Sequence, residues 1–324
     1  MRYLESNGAR VPALGLGTQG LLGDTCIRLV RCALEVGYRF VDTSEEYGNE
    51  LEIGRAIRES GVDRGAVFLA TKVSRGHLDR RGVRRACEAS LARLGTGYAD
   101  LLLVHWPDPR VPLAETLDAF AALRTAGVVR HVGVCNFPVA LLREAVERHG
   151  ADLLCNQVEY HVLLSQRPML SYLRARGMML IAYSPLARGV APLSPGLARL
   201  GRGAGRALDR FGGRYARTFV RAARDRLLRP RERNPFGQAA VPDHPTLARI
   251  GARHGKSAAQ VALRWLIEQP GVAAIPRPDN ERHCRENFEL FDFALSAGEQ
   301  AEIAALGGSY RVVDPSYAPA WDAA

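Results

Sequence analysis

Eight short β-rich segments, each followed by a helical pattern, predict a closed (β/α)8 barrel with an N-terminal β-hairpin plug and a long insertion after the seventh strand. Three observations carry this reading. The β-rich segments recur along the whole chain, at residues 14–18, 39–43, 67–72, 100–105, 131–135, 153–158, 179–183 and 272–276. Six of the helical patterns stop at a glycine in the position after the last turn: Gly37, Gly61, Gly95, Gly127, Gly150 and Gly177. The length of 324 residues exceeds an ordinary domain but suits one α/β barrel of about 250 residues plus additions. A doubly wound open sheet would call for a glycine-rich first turn, and Leu16-Gly17-Thr18-Gln19-Gly20 is not GxGxxG.

The elements follow in order. Within residues 2–11, Asn7-Gly8 is a two-residue hairpin signal, placing a small β-ribbon against one end of the barrel. After the first strand, Asp24 or Thr25 is expected to cap a helix that turns Leu29, Cys32, Ala33 and Val36 inward. After the third, Val83, Cys87, Leu91 and Leu94 step by four, four and three, the spacing of one helix face. Residues 187–243 are far longer than a usual strand-to-helix loop and form the insertion, within a single domain covering 1–324. Residues 306–324 form a C-terminal segment.

Composition narrows the function. With 47% hydrophobic and 24% charged residues the chain is globular, and its net charge of +10 is local. Residues 188–233 hold thirteen arginines against Asp209, Asp225 and Glu232, and the remaining 31 basic and 31 acidic residues cancel. Within the insertion, Leu208, Phe211, Tyr215, Phe219 and Leu227 step at helical spacing between arginines, interrupted by Gly212-Gly213. The leading reading is a solvated helix packed on the barrel rim, ahead of recognition of anionic substrates and of membrane or polyanion contact. No nucleic-acid role is expected. No apolar run reaches the ~18–20 residues of a membrane span, and Met1-Arg2-Tyr3-Leu4-Glu5 does not begin an export signal, so a cytoplasmic monomer is expected. The six cysteines form no CxxC pair and read as reduced core thiols, and no metal site is expected.

Of 44 basic residues only Lys72 and Lys256 are lysine. Where an arginine-rich chain keeps lysine, a compact ammonium is wanted. In a (β/α)8 barrel, chemistry sits at the C-terminal strand ends, and there the sequence places Asp42, Tyr47, Lys72 and His105. Taken singly, each has an ordinary structural use: an ion pair, a packed aromatic, a buried histidine. Taken together they form a proton-handling set, in which the ammonium stabilises a phenolate and is expected to bring Tyr47 below its free value of ~10.

The run Gly37-Tyr38-Arg39-Phe40-Val41-Asp42-Thr43 into Glu46-Tyr47-Gly48-Asn49-Glu50 resembles the first signature of the aldo-keto reductases. Ala70-Thr71-Lys72-Val73, Leu103-Val104-His105-Trp106-Pro107, Val132-Gly133-Val134-Cys135-Asn136-Phe137, Asn156-Gln157-Val158-Glu159-Tyr160-His161, Ala182-Tyr183-Ser184-Pro185-Leu186 and Ile275-Pro276-Arg277 through Glu286-Asn287 follow in family order. The resemblance covers residues 1–186 and about 244–324, and is nearest to the bacterial diketogluconate reductase-like members. It implies reduction of a small aldehyde or ketone, with Tyr47 as general acid, Lys72 tuning it, Asp42 holding Lys72 and His105 orienting the carbonyl. It implies NADPH as cofactor, with NADH as a second choice. Gly17 and Thr18 would approach the nicotinamide, Cys135, Asn136 and Gln157 would line its carboxamide, and Tyr183 would stack on its ring. Ser184 and Leu186 would flank the pyrophosphate, while Arg277 would meet the 2′-phosphate near His283, and Glu286 and Asn287 the adenine. Cys135 stands where the family usually has serine, and Pro278 and His283 replace two phosphate contacts. Gln19 and Trp106 would line the substrate pocket beneath residues 306–324 as a lid. Two other functions fit the same family: a catalytically idle barrel serving as a cofactor-binding regulatory subunit, and an alcohol dehydrogenase working oxidatively.

Overall fold

The computed structural model describes residues 1–189 and 240–322. Most of the insertion, with its arginines from Arg199 onward, lies outside the described residues, so the readings of that helix stay expectations.

The first hairpin forms as the sequence predicts. Strands β1 (Tyr3–Ser6) and β2 (Ala9–Pro12) pair antiparallel around Asn7 and Gly8, whose φ values of 39° and 75° suit the primed turn that matches strand twist. Ser6 Oγ donates to the Gly177 carbonyl at 2.8 Å and Asn7 Nδ2 to that of Leu153 at 2.9 Å, which seats the ribbon across the entry side of the barrel.

Eight parallel strands follow: β3 (Leu16–Gly17), β4 (Phe40–Asp42), β5 (Phe68–Val73), β6 (Ala99–Val104), β7 (Val129–Cys135), β8 (Cys155–Glu159), β9 (Met179–Tyr183) and β10 (Val272–Ala274), in sequence order across the sheet. The seam between first and last strands closes through Gly15 N to Ala274 O at 2.9 Å, Ala274 N to Ala13 O at 2.9 Å and Gly17 N to Pro276 O at 3.0 Å. Gly17 is required there: a Cβ at that position would lie 2.5 Å from the Ile275 carbonyl oxygen. The tight seam shortens β3 and β10 relative to the predicted runs 14–18 and 272–276.

Outside the strands pack α1 (Gly23–Val36), α2 (Glu50–Glu59), α3 (Arg80–Leu94), α4 (Leu113–Thr125), α5 (Val139–Arg143), α6 (Arg167–Ala175), α7 (Pro245–His254), α8 (Ala258–Glu268), α9 (Glu281–Phe288) and α10 (Ala297–Ala304). Val83, Cys87, Leu91 and Leu94 are all buried on α3, as their spacing requires. The expected cap of α1 is corrected. The helix begins at Gly23, so Asp24 and Thr25 fall inside the first turn; Leu22 takes the extended cap position without a side-chain bond, and Gly23 N donates to Glu52 Oε1. All six cysteines are free and buried. Among the described residues no helix is long and apolar enough to cross a membrane, and no cluster of three or more His, Cys, Asp or Glu side chains could hold a metal.

Candidate active site

Asp42 ends β4, Lys72 lies one residue before the end of β5, and His105 follows β6, so three adjacent strands present them at one barrel mouth. Tyr47 comes to the same place on a 3-10 turn, Glu45–Tyr47, capped by Ser44 Oγ accepting from Glu46 N. Lys72 is fully buried. Its ammonium has three donors, and they reach Asp42 Oδ1 at 2.5 Å, the Thr43 carbonyl at 2.7 Å and the Tyr47 hydroxyl at 3.5 Å. Arginine's planar fork could not fill this corner, which explains why lysine persists here. The Tyr47 ring stands edge-on to His105 with centroids 5.8 Å apart.

Electrostatics correct one expectation. Burial drives the Tyr47 phenol up to about 12; the Lys72 charge pulls it back only in part. The phenol is therefore held protonated above its ordinary value, not tuned toward neutrality. Burial also works against the Lys72 charge, yet the Asp42 and Tyr47 charges outweigh it and hold the ammonium above its usual range.

His105 is buried, and its Nδ1 lies 3.2 Å from both Ser44 Oγ and Glu46 Oε2. Sequence reasoning passed over Glu46, although it stands beside Tyr47. It also passed over Asn49, fully buried, which bonds the Thr18 and Leu21 carbonyls through Nδ2 and takes the Thr43 hydroxyl at 2.7 Å. Asn49 thus ties the loop after β3 to the end of β4. The signal was the Gly48-Asn49-Glu50 stretch following Tyr47.

Next to this set lies a row of amides. Gln157 Nε2 donates to Asp42 Oδ2 at 2.8 Å, Asn136 Nδ2 to the His105 carbonyl at 3.0 Å, and the Tyr183 hydroxyl to Asn136 Oδ1 at 2.9 Å. Thr18 Oγ1 donates to the Asp42 carbonyl. Cys135 ends β7, fully buried, and its thiol is pushed well up by burial. Among the described residues five non-glycines have positive φ, and four of them (Asn136, Ser184, Ala187 and Arg188) stand at this mouth. Such backbone is costly and collects at ligand sites.

The remaining expected residues sit around the rim. Leu186 is half-buried beside Ser184. Gln19 is exposed, and its Oε1 accepts from Arg188 Nη2 at 3.4 Å, so the first arginine of the insertion does stand at the mouth. Arg277, after β10, pairs with Asp279 at 2.7 Å, a partner the sequence reading had not weighed. On α9, His283 N is capped by Asn280 Oδ1, Glu286 pairs with Arg282 at 2.9 Å, and Asn287 is buried. Trp106 is covered by the C-terminal segment, with the rings of Tyr317 and Trp321 at 5.4 and 6.0 Å.

With this geometry in view, the relatives are informative. The model of the Aldo/keto reductase family matches residues 13–307. An aldo-keto reductase of Mycobacterium sp. (strain KMS) is 34% identical over 308 residues, 95% of this chain and 93% of that protein. A solved structure described as a putative 2,5-diketo-D-gluconic acid reductase B is 38% identical with a TM-score of 0.81, over 100% of this chain and 98% of that one. A solved aldo-keto reductase complexed with NADPH is 26% identical with a TM-score of 0.78, over 99% and 94%.

Proposed function

Because the chain belongs to the aldo/keto reductase family, oxidoreductases acting on carbonyl groups, we propose that it reduces a small aldehyde or ketone to the alcohol with NADPH, using Tyr47 as general acid. The observation that carries the reading is the complete use of the Lys72 ammonium by Asp42, Thr43 and Tyr47. The substrate oxygen would lie between the Tyr47 hydroxyl and His105 Nε2, the ring nitrogen that Ser44 and Glu46 leave unused. Tyr47 gives its proton to that oxygen as the carbonyl is reduced. The phenolate left behind is stabilised by Lys72, whose position Asp42 fixes. Orientation and proton donation are each worth roughly several powers of ten in rate.

The cofactor supplies hydride to the carbonyl carbon. The residues present suit it: a buried row of amides for a carboxamide, the Tyr183 ring for stacking, and strained backbone at Ser184 beside Leu186 where a pyrophosphate would pass. Gly17 and Thr18 would bring backbone close at the nicotinamide end, and Cys135, Asn136 and Gln157 would face the carboxamide. Arg277 would read the 2′-phosphate beside His283, with Glu286 and Asn287 toward the adenine. Asp279 lies against Arg277 and must yield it for NADPH to be preferred, so dual use of NADH follows where it does not.

Loss of absorbance at 340 nm with NADPH and a panel of aldehydes and dicarbonyl compounds tests the proposal. Turnover on at least one is expected. Tight NADPH binding with no turnover on any carbonyl would favour the regulatory barrel.

A further inference from the structure

Strand β8 carries a second buried acid that the proton-handling set does not use. Side chains along a strand alternate between faces. Accordingly Asn156 leaves the barrel interior, with Nδ2 on the Phe137 carbonyl, while Gln157 reaches Asp42. Glu159, two residues beyond Gln157, is fully buried at the top of the strand. Its partners come from the far end of the chain. Val312 N donates to Oε1 at 2.7 Å and Val313 N to Oε2 at 2.8 Å. His161 adds a third bond at 3.0 Å from Nε2; because its Nδ1 accepts from Leu163 N, Nε2 carries the hydrogen and donates. Arg311 stands 4.0 Å away and is stacked on Trp321 at 3.8 Å.

The segment around these bonds leads directly to the mouth. Ser165 N donates to the Gly308 carbonyl and Tyr310 N to that of Leu163, so the tail is already zipped to the loop after β8 when it meets Glu159. Beyond Val313 it crosses to Trp106, which it covers with Tyr317 and Trp321, and Asp322 then accepts from Val139 N. A buried carboxylate needs all of its acceptors filled. If the tail lifts, Glu159 keeps one bond of three, so the closed tail satisfies the buried carboxylate and the carboxylate holds the tail.

We propose that Glu159 is a positioning residue: it latches residues 311–313, and thereby fixes the tail that walls the substrate pocket. This rests on the reading of the mouth as a carbonyl-reducing site. The latch draws on backbone N–H groups, so no side-chain motif in the tail would reveal it.

Amide hydrogen exchange in the full chain tests it. In Glu159→Gln, the Val312 and Val313 amides should exchange about 10- to 100-fold faster, the loss expected for charge-assisted bonds, while amides of β9 keep their protection. With NADPH, KM for a bulky aromatic aldehyde should rise while kcat for a small one stays within about two-fold. Val312→Pro removes one donor from the tail while Glu159 itself is retained; it should speed exchange at Val313 in the same way. Unchanged exchange at Val313 in both variants and at Val312 in Glu159→Gln, or equal acceleration throughout the barrel, overturns the latch. Selective acceleration in a protein that reduces no carbonyl would uphold the latch and refute the reaction.

Discussion

Gln157 Nε2 hydrogen-bonds Asp42 Oδ2 at 2.8 Å, while the other oxygen of the same carboxylate holds Lys72. The amide expected to face a nicotinamide is thus wired to the acid that positions the proton donor. One carboxylate serves two strands that are not adjacent in the sheet, β5 and β8, and both of its oxygens are committed. A change at either end should be felt at the other.

The Asp42–Lys72 pair is buried, and removing one partner leaves an uncompensated charge. Asp42→Asn and Lys72→Met should each destabilise the fold by about 3–5 kcal/mol, and the double variant by clearly less than the sum. Urea denaturation of the four proteins measures this; strict additivity would show that the two do not interact.

The Tyr47 phenol is raised to about 12 by burial. A raised value favours the neutral form, which persists at every lower pH and is lost only as pH climbs toward 12. In the free enzyme, kcat/KM for reduction should therefore show no falling limb from Tyr47 below about pH 10. A falling limb near pH 8 that moves to lower pH when fluorotyrosine replaces Tyr47 would show that Lys72 prevails over burial.

Asp279 holds the Arg277 guanidinium that a 2′-phosphate would need. Arg277→Ala should weaken NADPH by roughly 10- to 150-fold and NADH hardly at all, because a charge-assisted contact unique to the 2′-phosphate is lost. Asp279→Asn should tighten NADPH. Fluorescence titration with both cofactors decides; equal weakening of the two by Arg277→Ala would make the residue structural.

All six thiols are buried, and burial raises each of them. Native protein should react with a disulfide reagent at none of them within minutes, and at all six once denatured. Rapid reaction of one thiol in the native protein would contradict the packing.

The barrel was legible because β-rich runs mark all eight units and glycine stops mark six of them, and strand β9 falls on its predicted residues. Asp42, Tyr47, Lys72 and His105 were legible because barrel topology brings strand ends together. Three relations were not. Asp279 reads as an ordinary loop acid until it is seen against Arg277. The rise of the Tyr47 phenol comes from desolvation by the packed mouth around a half-buried ring, whereas the sequence shows only the nearby lysine. The Glu159 latch joins a side chain to backbone more than 150 positions away.

Tyr47→Phe bears most directly on the proposed chemistry. The ring still packs against His105 and Lys72, but it has no proton to give. Single-turnover reduction of an aldehyde by NADPH, followed at 340 nm, should slow by at least ~100-fold while the NADPH dissociation constant stays within about two-fold. Wild-type single-turnover rates in this variant would contradict the assignment of Tyr47 as the general acid.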